Sequence, residues 1–173
     1  MDKLWAPWRV KYITAVSDKP RGCIFCKMLA STKDRKNLIF TRSRHSFAVL
    51  NLFPYNNGHS LILPNRHVSD VSRLRPDELA DLWSLMVKTK ELLSRVLSPK
   101  GYNIGMNIGR VAGAGVPGHV HIHIVPRWRG DVNFMPLTAD TKVISQSLFV
   151  LYDLLKREQG HKKYRSLRET ESS

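Results

Sequence analysis

Cysteine and acidic residues are the scarce residue types of this 173-residue chain. Two cysteines cannot form the several disulfide bonds that usually stabilise small secreted domains. Asp and Glu number 14 against 28 Lys and Arg, which leaves a formal net charge of +14. No apolar run approaches the roughly 18 residues of a membrane span, and the first residues lack the apolar segment of a signal peptide. We therefore expect a cytoplasmic protein with no membrane partner.

The excess of positive charge favours anionic ligands. Basic surfaces raise the local concentration of nucleotides, nucleic acids and acidic proteins alike. A solvated surface that binds none of these would have the same composition. The charge therefore indicates an anionic ligand but does not distinguish nucleotides, nucleic acids and acidic proteins.

Length and composition fit a single globular domain over residues 1–173. Hydrophobic residues make up 42% of the chain and charged residues 24%, which is the ordinary range for a folded domain. Residues 1–22 show no clear hydrophobic period, so we expect a surface arm there. Residues 160–173 are polar and basic, and we expect them to form a flexible tail.

Short runs of β-branched and apolar residues between turn signals predict five strands. The predicted strands are residues 37–42, 46–51, 59–64, 101–108 and 119–125. Hairpin-sized links and one long helix indicate an α+β domain with an antiparallel sheet.

The long helix is predicted to begin at Pro76, which suits the first helical position, and to end before Pro99. Apolar residues recur in it at steps of three and four. This stripe comprises Leu79, Leu82, Trp83, Met86, Leu93, Val96 and Leu97. A second helix is predicted over residues 141–158.

Three histidines alternate with apolar residues in the segment Gly118–Pro126. Successive side chains of a strand face opposite ways, so His119, His121 and His123 would share one face, roughly 7 Å apart. Imidazoles grouped in this way need partners, because burying a polar group without a hydrogen bond costs free energy. Ordinary hydrogen-bonded histidines would also fit the pattern. A three-histidine metal site is disfavoured, since side chains spaced along one strand do not easily converge on one ion.

A glycine-rich loop, residues 107–115, precedes this strand. Its backbone N–H groups would be accessible to an anion. Such loops are often only turns, but beside three histidines this one is a plausible phosphate cradle.

Cys23 and Cys26 have the spacing that lets two thiolates bind one Zn²⁺, with two histidines required from elsewhere. Free thiols are the alternative. A redox pair is disfavoured, because the thioredoxin-like βαβ pattern that normally surrounds it is missing.

The triple-histidine run resembles the signature of the histidine-triad family of nucleotide hydrolases and transferases. The similarity extends from Cys23 to about Pro136, and the residues after the triad look most like the fragile-histidine-triad branch, which includes dinucleoside polyphosphate phosphorylases. The resemblance implies an antiparallel sheet of about five strands with one long and one C-terminal helix. It also implies a homodimer, for which the Trp-bearing helix would be a suitable interface.

The resemblance implies roles by position. His121 would be the nucleophile, His123 would contact the α-phosphate, and His59 would complete the catalytic cluster. The implied substrate-binding residues are Asn51, Asn107, Ala114, Gly115, His123 and Arg127. Many family hydrolases carry Gln and a hydroxyl residue at the positions of Gly115 and Val116, so the final acceptor, water or phosphate, stays open here.

Zinc-bearing members of the family resemble this chain in adding a histidine at the position of His67 and the first triad histidine. The implied ligands of a structural Zn²⁺ are Cys23, Cys26, His67 and His119. No organic cofactor is expected.

The sequence therefore predicts an enzyme that cleaves dinucleoside polyphosphates, such as diadenosine tetraphosphate, through a nucleotidyl-histidine. A nucleoside phosphoramidate hydrolase with the same nucleophile is the close alternative. A nucleic-acid-binding or repair protein is less favoured, because no recognised nucleic-acid module is present. A noncatalytic zinc-stabilised scaffold is a further alternative.

Overall fold

The structure, a computed structural model, describes residues 22–131 and 146–170, with side chains up to residue 160. The predicted arm, except Gly22, and residues 141–145 of the second predicted helix lie outside the described residues. Within this part of the chain, no helix is long and apolar enough to cross a bilayer.

The described residues form five strands, four α-helices and one short 3₁₀ turn. In chain order these are α1 (Ile24–Ala30), α2 (Asp34–Asn37), β1 (Ile39–Arg42), β2 (Ser46–Leu50), β3 (Ser60–Pro64), the 3₁₀ turn (Val71–Arg73), α3 (Pro76–Leu97), β4 (Gly101–Met106), β5 (Ile122–Arg127) and α4 (Leu148–Thr170). The predicted α+β class is confirmed, and the predicted positions of β1 to β4 and α3 agree to within two residues at each end.

The strands form one antiparallel sheet in the order β1-β2-β3-β5-β4. β5 lies between β3 and β4, so His123 is opposite Leu61 on one side and Gly105 on the other. Of the three alternating histidines, His123 thus has strand backbone on both sides. The loop after β2 leaves the sheet beside Ser60 and Ile124, and the loop after β4 leaves it beside Ile122.

Helix α3 covers one face of the sheet and contributes Leu82, Leu85 and Leu93 to the core, where each is at most 3% exposed. Two residues of the predicted apolar stripe, Leu79 and Trp83, lie outside the core and are 43% and 59% exposed. The sheet contacts the arc of the helix that includes Leu85 instead, so these two side chains lie at its solvent side.

The start of α3 is fixed by Glu78, which is 3% exposed. Its carboxylate accepts hydrogen bonds from the Arg66 guanidinium at 2.9 and 2.7 Å and from the Arg75 backbone N–H at 2.9 Å. The hydrogen bonds from Arg66 and Arg75 lower the pKa of Glu78 to about 2. An acidic group at this position also complements the helix dipole.

Helix α4 packs its residues Leu151 and Leu155, both 0% exposed, into the same core. The second helix was predicted to end at Glu158, and this was wrong, since α4 continues to Thr170. Its backbone thus extends through most of the segment predicted to be a tail.

Candidate active site

The three alternating histidines lie at the start of β5, but only His123 belongs to the paired strand. The predicted strand from 119 to 125 was wrong at its start, because β5 begins at Ile122. Before it, the Val120 N–H donates to the Val68 carbonyl at 2.7 Å, which ties this segment to the loop after β3. Strand geometry therefore does not govern the spacing, and the ring centroids of His121 and His123 are 4.8 Å apart rather than the predicted 7 Å.

His121 is held in one tautomer by its own backbone neighbour. Its Nδ1 lies 2.9 Å from the carbonyl oxygen of His119. A carbonyl can only accept, so Nδ1 carries the proton and Nε2 carries the lone pair. The side chain is 5% exposed, and burial lowers its pKa, which favours the neutral ring. A neutral imidazole with a fixed Nε2 lone pair is a competent nucleophile.

His59 and His123 form a second imidazole pair with the opposite arrangement. The Tyr55 N–H donates to Nδ1 of His59 at 2.9 Å, so this nitrogen accepts and the proton is on Nε2. Nε2 of His59 is 2.9 Å from Nδ1 of His123 and donates to it. The proton of His123 is consequently on Nε2, where the ring can donate a hydrogen bond.

Two neighbouring rings therefore offer a lone pair and a proton. His121 has the lone pair on Nε2, and His123 has an N–H on the same ring position. An electrophile bearing negatively charged oxygens fits this pair, because the lone pair can attack its central atom while the N–H stabilises an oxygen.

The loop from residue 107 to 118 joins the end of β4 to the histidine segment. Met106, the last residue of β4, is paired with Ile122, so the loop leaves the sheet beside His121. Gly109 and Gly113 have φ of 85° and 87°, a conformation that favours glycine. The predicted phosphate-binding residues Asn107, Ala114 and Gly115 belong to this loop.

Part of this loop is already hydrogen bonded. The Gly113 N–H donates to the Arg110 carbonyl at 3.0 Å and the Ala114 N–H to the Gly109 carbonyl at 3.2 Å. The expectation of a cradle with open N–H groups therefore does not extend to these two.

Asn51 follows β2 and faces the cluster. Its Nδ2 lies 3.3 Å from Nδ1 of His59, and its Oδ1 accepts from the Phe53 N–H at 3.1 Å. The structure thus brings the predicted residues Asn51 and His59 together.

Arg127, a predicted substrate-binding residue, lies apart from the histidine cluster. It is four residues along β5 from His123, about 13 Å away at the usual strand rise. Its guanidinium donates to both carboxylate oxygens of Asp131, at 2.6 and 2.9 Å, and to Asn103 Oδ1 at 2.7 Å. This pairing lowers the pKa of Asp131 to about 2.

The four predicted metal ligands converge. Cys23, Cys26, His67 and His119 each offer one ligand atom, and all four atoms lie within 4.8 Å of one another. Nδ1 of His119 is 3.5 and 3.6 Å from the two sulfurs, and Nδ1 of His67 is 3.4 Å from Sγ of Cys26. A tetrahedral Zn²⁺ with the usual bond lengths requires sulfur-to-nitrogen separations of about 3.6 Å.

The protonation state of His119 also suits a metal. Its Nε2 lies 2.9 Å from the Pro64 carbonyl and must donate to it, so the lone pair is on Nδ1, toward the thiols. Burial lowers the pKa of this ring, and burial together with Cys23 raises the pKa of the Cys26 thiol. A cation offsets the cost of a buried thiolate, so the residues present fit a metal ion.

Sequence reasoning missed two aromatic residues of this region. The Tyr55 ring stacks on His59 with centroids 4.7 Å apart, and Phe25 packs against His119 and His121 with centroids 5.7 and 5.4 Å away. It also missed helix α1, which carries Phe25. No local sequence pattern connects these rings with histidines so distant along the chain.

Comparison with known proteins places this geometry in context. Residues 32–130 match the family model of the HIT domain. The chain is 35% identical over 154 residues to AP-4-A phosphorylase of Mycobacterium tuberculosis, which covers 86% of this chain and 79% of that protein. It is 32% identical over 106 residues to adenosine 5'-monophosphoramidase of Schizosaccharomyces pombe, which covers 61% of this chain and 74% of that one.

Among solved structures, a zinc-bound histidine triad family protein from Mycobacterium smegmatis has a similar fold. The TM-score is 0.60 at 22% identity, over 83% of this chain and 97% of that chain. The family match covers the whole sheet and all three alternating histidines, and it begins after the two cysteines.

Proposed function

Because the chain belongs to the HIT domain family, we propose that it cleaves dinucleoside polyphosphates, such as diadenosine tetraphosphate, at the α-phosphate through a covalent nucleotidyl-histidine. The observation that carries this proposal is the pair of fixed tautomers, with the lone pair of His121 beside the N–H of His123. The M. tuberculosis relative is named as a phosphorylase of such a substrate, which agrees with this choice.

In the first step, Nε2 of His121 attacks the α-phosphorus. A P–N bond forms and the bond to the bridging oxygen breaks, so that diadenosine tetraphosphate releases ATP and leaves AMP on His121. The N–H of His123 donates to a phosphate oxygen as negative charge develops there. His59 keeps that proton in place by donating to the other nitrogen of His123.

In the second step, an acceptor oxygen attacks the same phosphorus and His121 leaves. Water yields AMP, and orthophosphate yields ADP. Asn51, next to His59, would bind the ribose hydroxyls, while Asn107, Ala114 and Gly115 would line the phosphates.

The decisive experiment is product analysis by mass spectrometry after incubation with diadenosine tetraphosphate, with and without orthophosphate. ADP plus ATP formed only with orthophosphate identifies a phosphorylase, and AMP plus ATP without it identifies a hydrolase. His121→Asn should lower turnover by about 10³-fold or more, since it removes the nucleophile. His45→Asn is the matched control, because His45 contacts Asp77 outside the cluster. Full activity of His121→Asn would refute the proposal.

A nucleoside phosphoramidate is the second candidate substrate. The S. pombe relative is named as an adenosine 5'-monophosphoramidase, and the same nucleophile would attack a P–N substrate. Competition between adenosine phosphoramidate and diadenosine tetraphosphate in one reaction gives the ratio of their kcat/KM values, and the larger value identifies the substrate class.

We assign the four converging ligands to a structural Zn²⁺. Two thiolates and two imidazoles at tetrahedral spacing are the donor set that zinc prefers. When bound, the ion would link α1 to the start of the histidine segment. Metal analysis of the purified protein should give about one zinc per chain, and Cys26→Ser should lower that content.

We also propose that a second copy of the chain covers the solvent side of α3 and the edge strand β4. Within the described residues no strand pairs with the outer edge of β4. Trp83, Val87, Ile104 and Met106 expose apolar surface there, between 37% and 59% of each residue. A self-complementary surface of this kind suits a twofold dimer. Sedimentation should show a dimer, and Trp83→Lys should shift it toward monomer.

A further inference from the structure

We propose that Phe25 is a positioning residue for His121 and that it couples the metal centre to the nucleophile. The coupling rests on the proposed function above, since it assigns His121 the nucleophilic role. Phe25 lies between the two cysteines on α1, and its side chain reaches past the ligand His119 to the next histidine.

Phe25 contacts two imidazoles, that of the proposed metal ligand His119 and that of the proposed nucleophile His121. Its ring is 5.7 Å from the His119 ring, edge to face at 83°, and 5.4 Å from the His121 ring at 59°. The residue is 8% exposed and belongs to the main hydrophobic core. Phe25 therefore packs beside His121 inside the core.

The hydrogen bond from His121 to the His119 carbonyl fixes one nitrogen, but not the plane of the ring. Neighbours on its other sides must restrict rotation. His123 lies on one side, with its centroid 4.8 Å away, and Phe25 contacts His121 as well. Replacing Phe25 by a small residue leaves a cavity in which a second ring orientation, or the second tautomer, becomes accessible.

A metal held by Cys23, Cys26, His67 and His119 would help to fix the position of Phe25. The C-terminal end of α1 is anchored by hydrogen bonds from Arg42 to the Leu29 carbonyl and from Asn37 to the Met28 carbonyl. Its first residue, Ile24, follows Cys23, whose side chain makes no helix-capping hydrogen bond. The amino end is held instead by the thiol contacts with His67 and His119 and by Phe25 itself. Binding of a metal by residues on both sides of Phe25 would therefore fix its ring against His121.

This arrangement predicts a specific kinetic change. Small displacements of a nucleophile lower the rate of the chemical step strongly, with about 10²-fold for a displacement near 1 Å. Phe25→Ala should therefore lower kcat by roughly 10- to 100-fold, whereas KM should change by less than about threefold, because Phe25 is not among the residues assigned to substrate. Phe25→Leu, which keeps apolar bulk, should lose less.

The direct test is the tautomer of His121, measured by ¹⁵N NMR at fixed pH and assigned by the signal lost in His121→Asn. Wild-type protein should show one tautomer, protonated on Nδ1, and Phe25→Ala should show a mixture. Removal of zinc from the wild type with a chelator should produce the same mixture. Ile24→Ala, a change at the exposed neighbouring position of α1, is the matched control and should leave the tautomer and kcat unchanged.

Zinc content should be measured on the same samples. It shows whether a change at His121 comes from loss of Phe25 itself or from loss of the metal. We expect Phe25→Leu, with all four ligands intact, to retain zinc and still show reduced kcat. A single unaltered tautomer with wild-type kcat in either folded Phe25 variant would overturn the positioning role, and an unaltered tautomer after zinc removal would overturn the coupling. If Phe25→Ala does not fold, Phe25→Leu decides. The NMR result does not depend on turnover. Failure of the positioning role can therefore be distinguished from failure of the proposed reaction on all substrates.

Discussion

Nε2 of His59, the residue directly before β3, donates a hydrogen bond to Nδ1 of His123 on β5 across 2.9 Å. The direction is set by the Tyr55 N–H, which donates to the other nitrogen of His59. A backbone amide in the turn after β2 thus determines, through two imidazoles, which nitrogen of His123 presents a proton to the site.

Replacing His59 should therefore impair His123 without touching the nucleophile. We expect His59→Asn to lower kcat by about 10²- to 10⁴-fold, the usual contribution of a positioned proton donor. The nucleotidyl-histidine should still form slowly and be detectable by intact mass after an alkaline quench. His45→Asn is the control for loss of a histidine. Wild-type kcat in His59→Asn would contradict the assigned chain of hydrogen bonds.

Arg127 should act on stability rather than on substrate affinity. Its guanidinium is bound by Asp131 and Asn103, and it lies well along β5 from His123. Arg127→Gln should lower the free energy of unfolding by about 1 kcal/mol, a modest value because the side chain is partly exposed. KM for the dinucleotide should change by less than about twofold. Arg95→Gln, which breaks the surface pair with Glu158, is the matched control. A tenfold rise in KM for Arg127→Gln would instead support the anion contact that the sequence predicts.

The sequence predicts those features that depend on local periodicity. Short runs of β-branched and apolar residues locate the strands, and the three- and four-residue spacing after Pro76 locates α3, because each pattern reflects burial in the core. The side of α3 that faces the sheet is not determined in this way. Leu79 and Trp83 fit the period equally well, yet the sheet packs against the arc that includes Leu85.

In the candidate site, too, some features follow from the sequence and others depend on contacts between residues distant along the chain. The four metal ligands, implied by resemblance, do converge. The groups that fix the tautomers of His121 and His123, the His119 carbonyl and the Tyr55 amide, were not predictable, because only the folded backbone places them nearby. The sequence also does not show that Asp131 and Asn103 bind the guanidinium of Arg127, the predicted anion contact.

Gly58 should not tolerate a side chain. Its φ is +77°, and a Cβ would lie 2.5 Å from Cδ1 of Leu97 and 3.1 Å from Cγ of Pro126. Gly58→Ala should lower the free energy of unfolding by about 1–3 kcal/mol, since both backbone strain and a clash are introduced. Because Gly58 directly precedes His59, kcat should fall as well. Gly101→Ala is the control, with no atom within 4 Å of its Cβ, and should cost less than about 1 kcal/mol.

Removal of the metal should destabilise the protein, by an amount that depends on the concentration of free zinc. A ligand that binds only the folded state contributes about 2.7 kcal/mol at a hundredfold excess over its Kd. Addition of a chelator should therefore lower Tm, and added zinc should restore it. Cys26→Ser should have a low Tm that zinc does not raise, whereas His45→Asn should respond like the wild type. A Tm that is identical with zinc and with chelator would exclude a stabilising metal.

Glu78 should make stability depend on pH in the acidic range. Hydrogen bonds from Arg66 and Arg75 lower the pKa of its carboxyl from 4.5 to about 2 in the folded state. Because the folded pKa lies below the unfolded one, the stabilisation is fully present above pH 4.5 and is lost as pH falls toward 2. Glu78→Gln should thus cost about 1.5–3 kcal/mol at pH 7, and this difference from wild type should shrink between pH 4.5 and 2. Urea unfolding at several pH values measures this difference in the free energy of unfolding.

Glu91→Gln, an exposed change on the same helix, is the control and should differ from wild type by less than about 0.5 kcal/mol at every pH. If the cost of Glu78→Gln stays constant down to pH 3, the carboxylate is not what holds the start of α3.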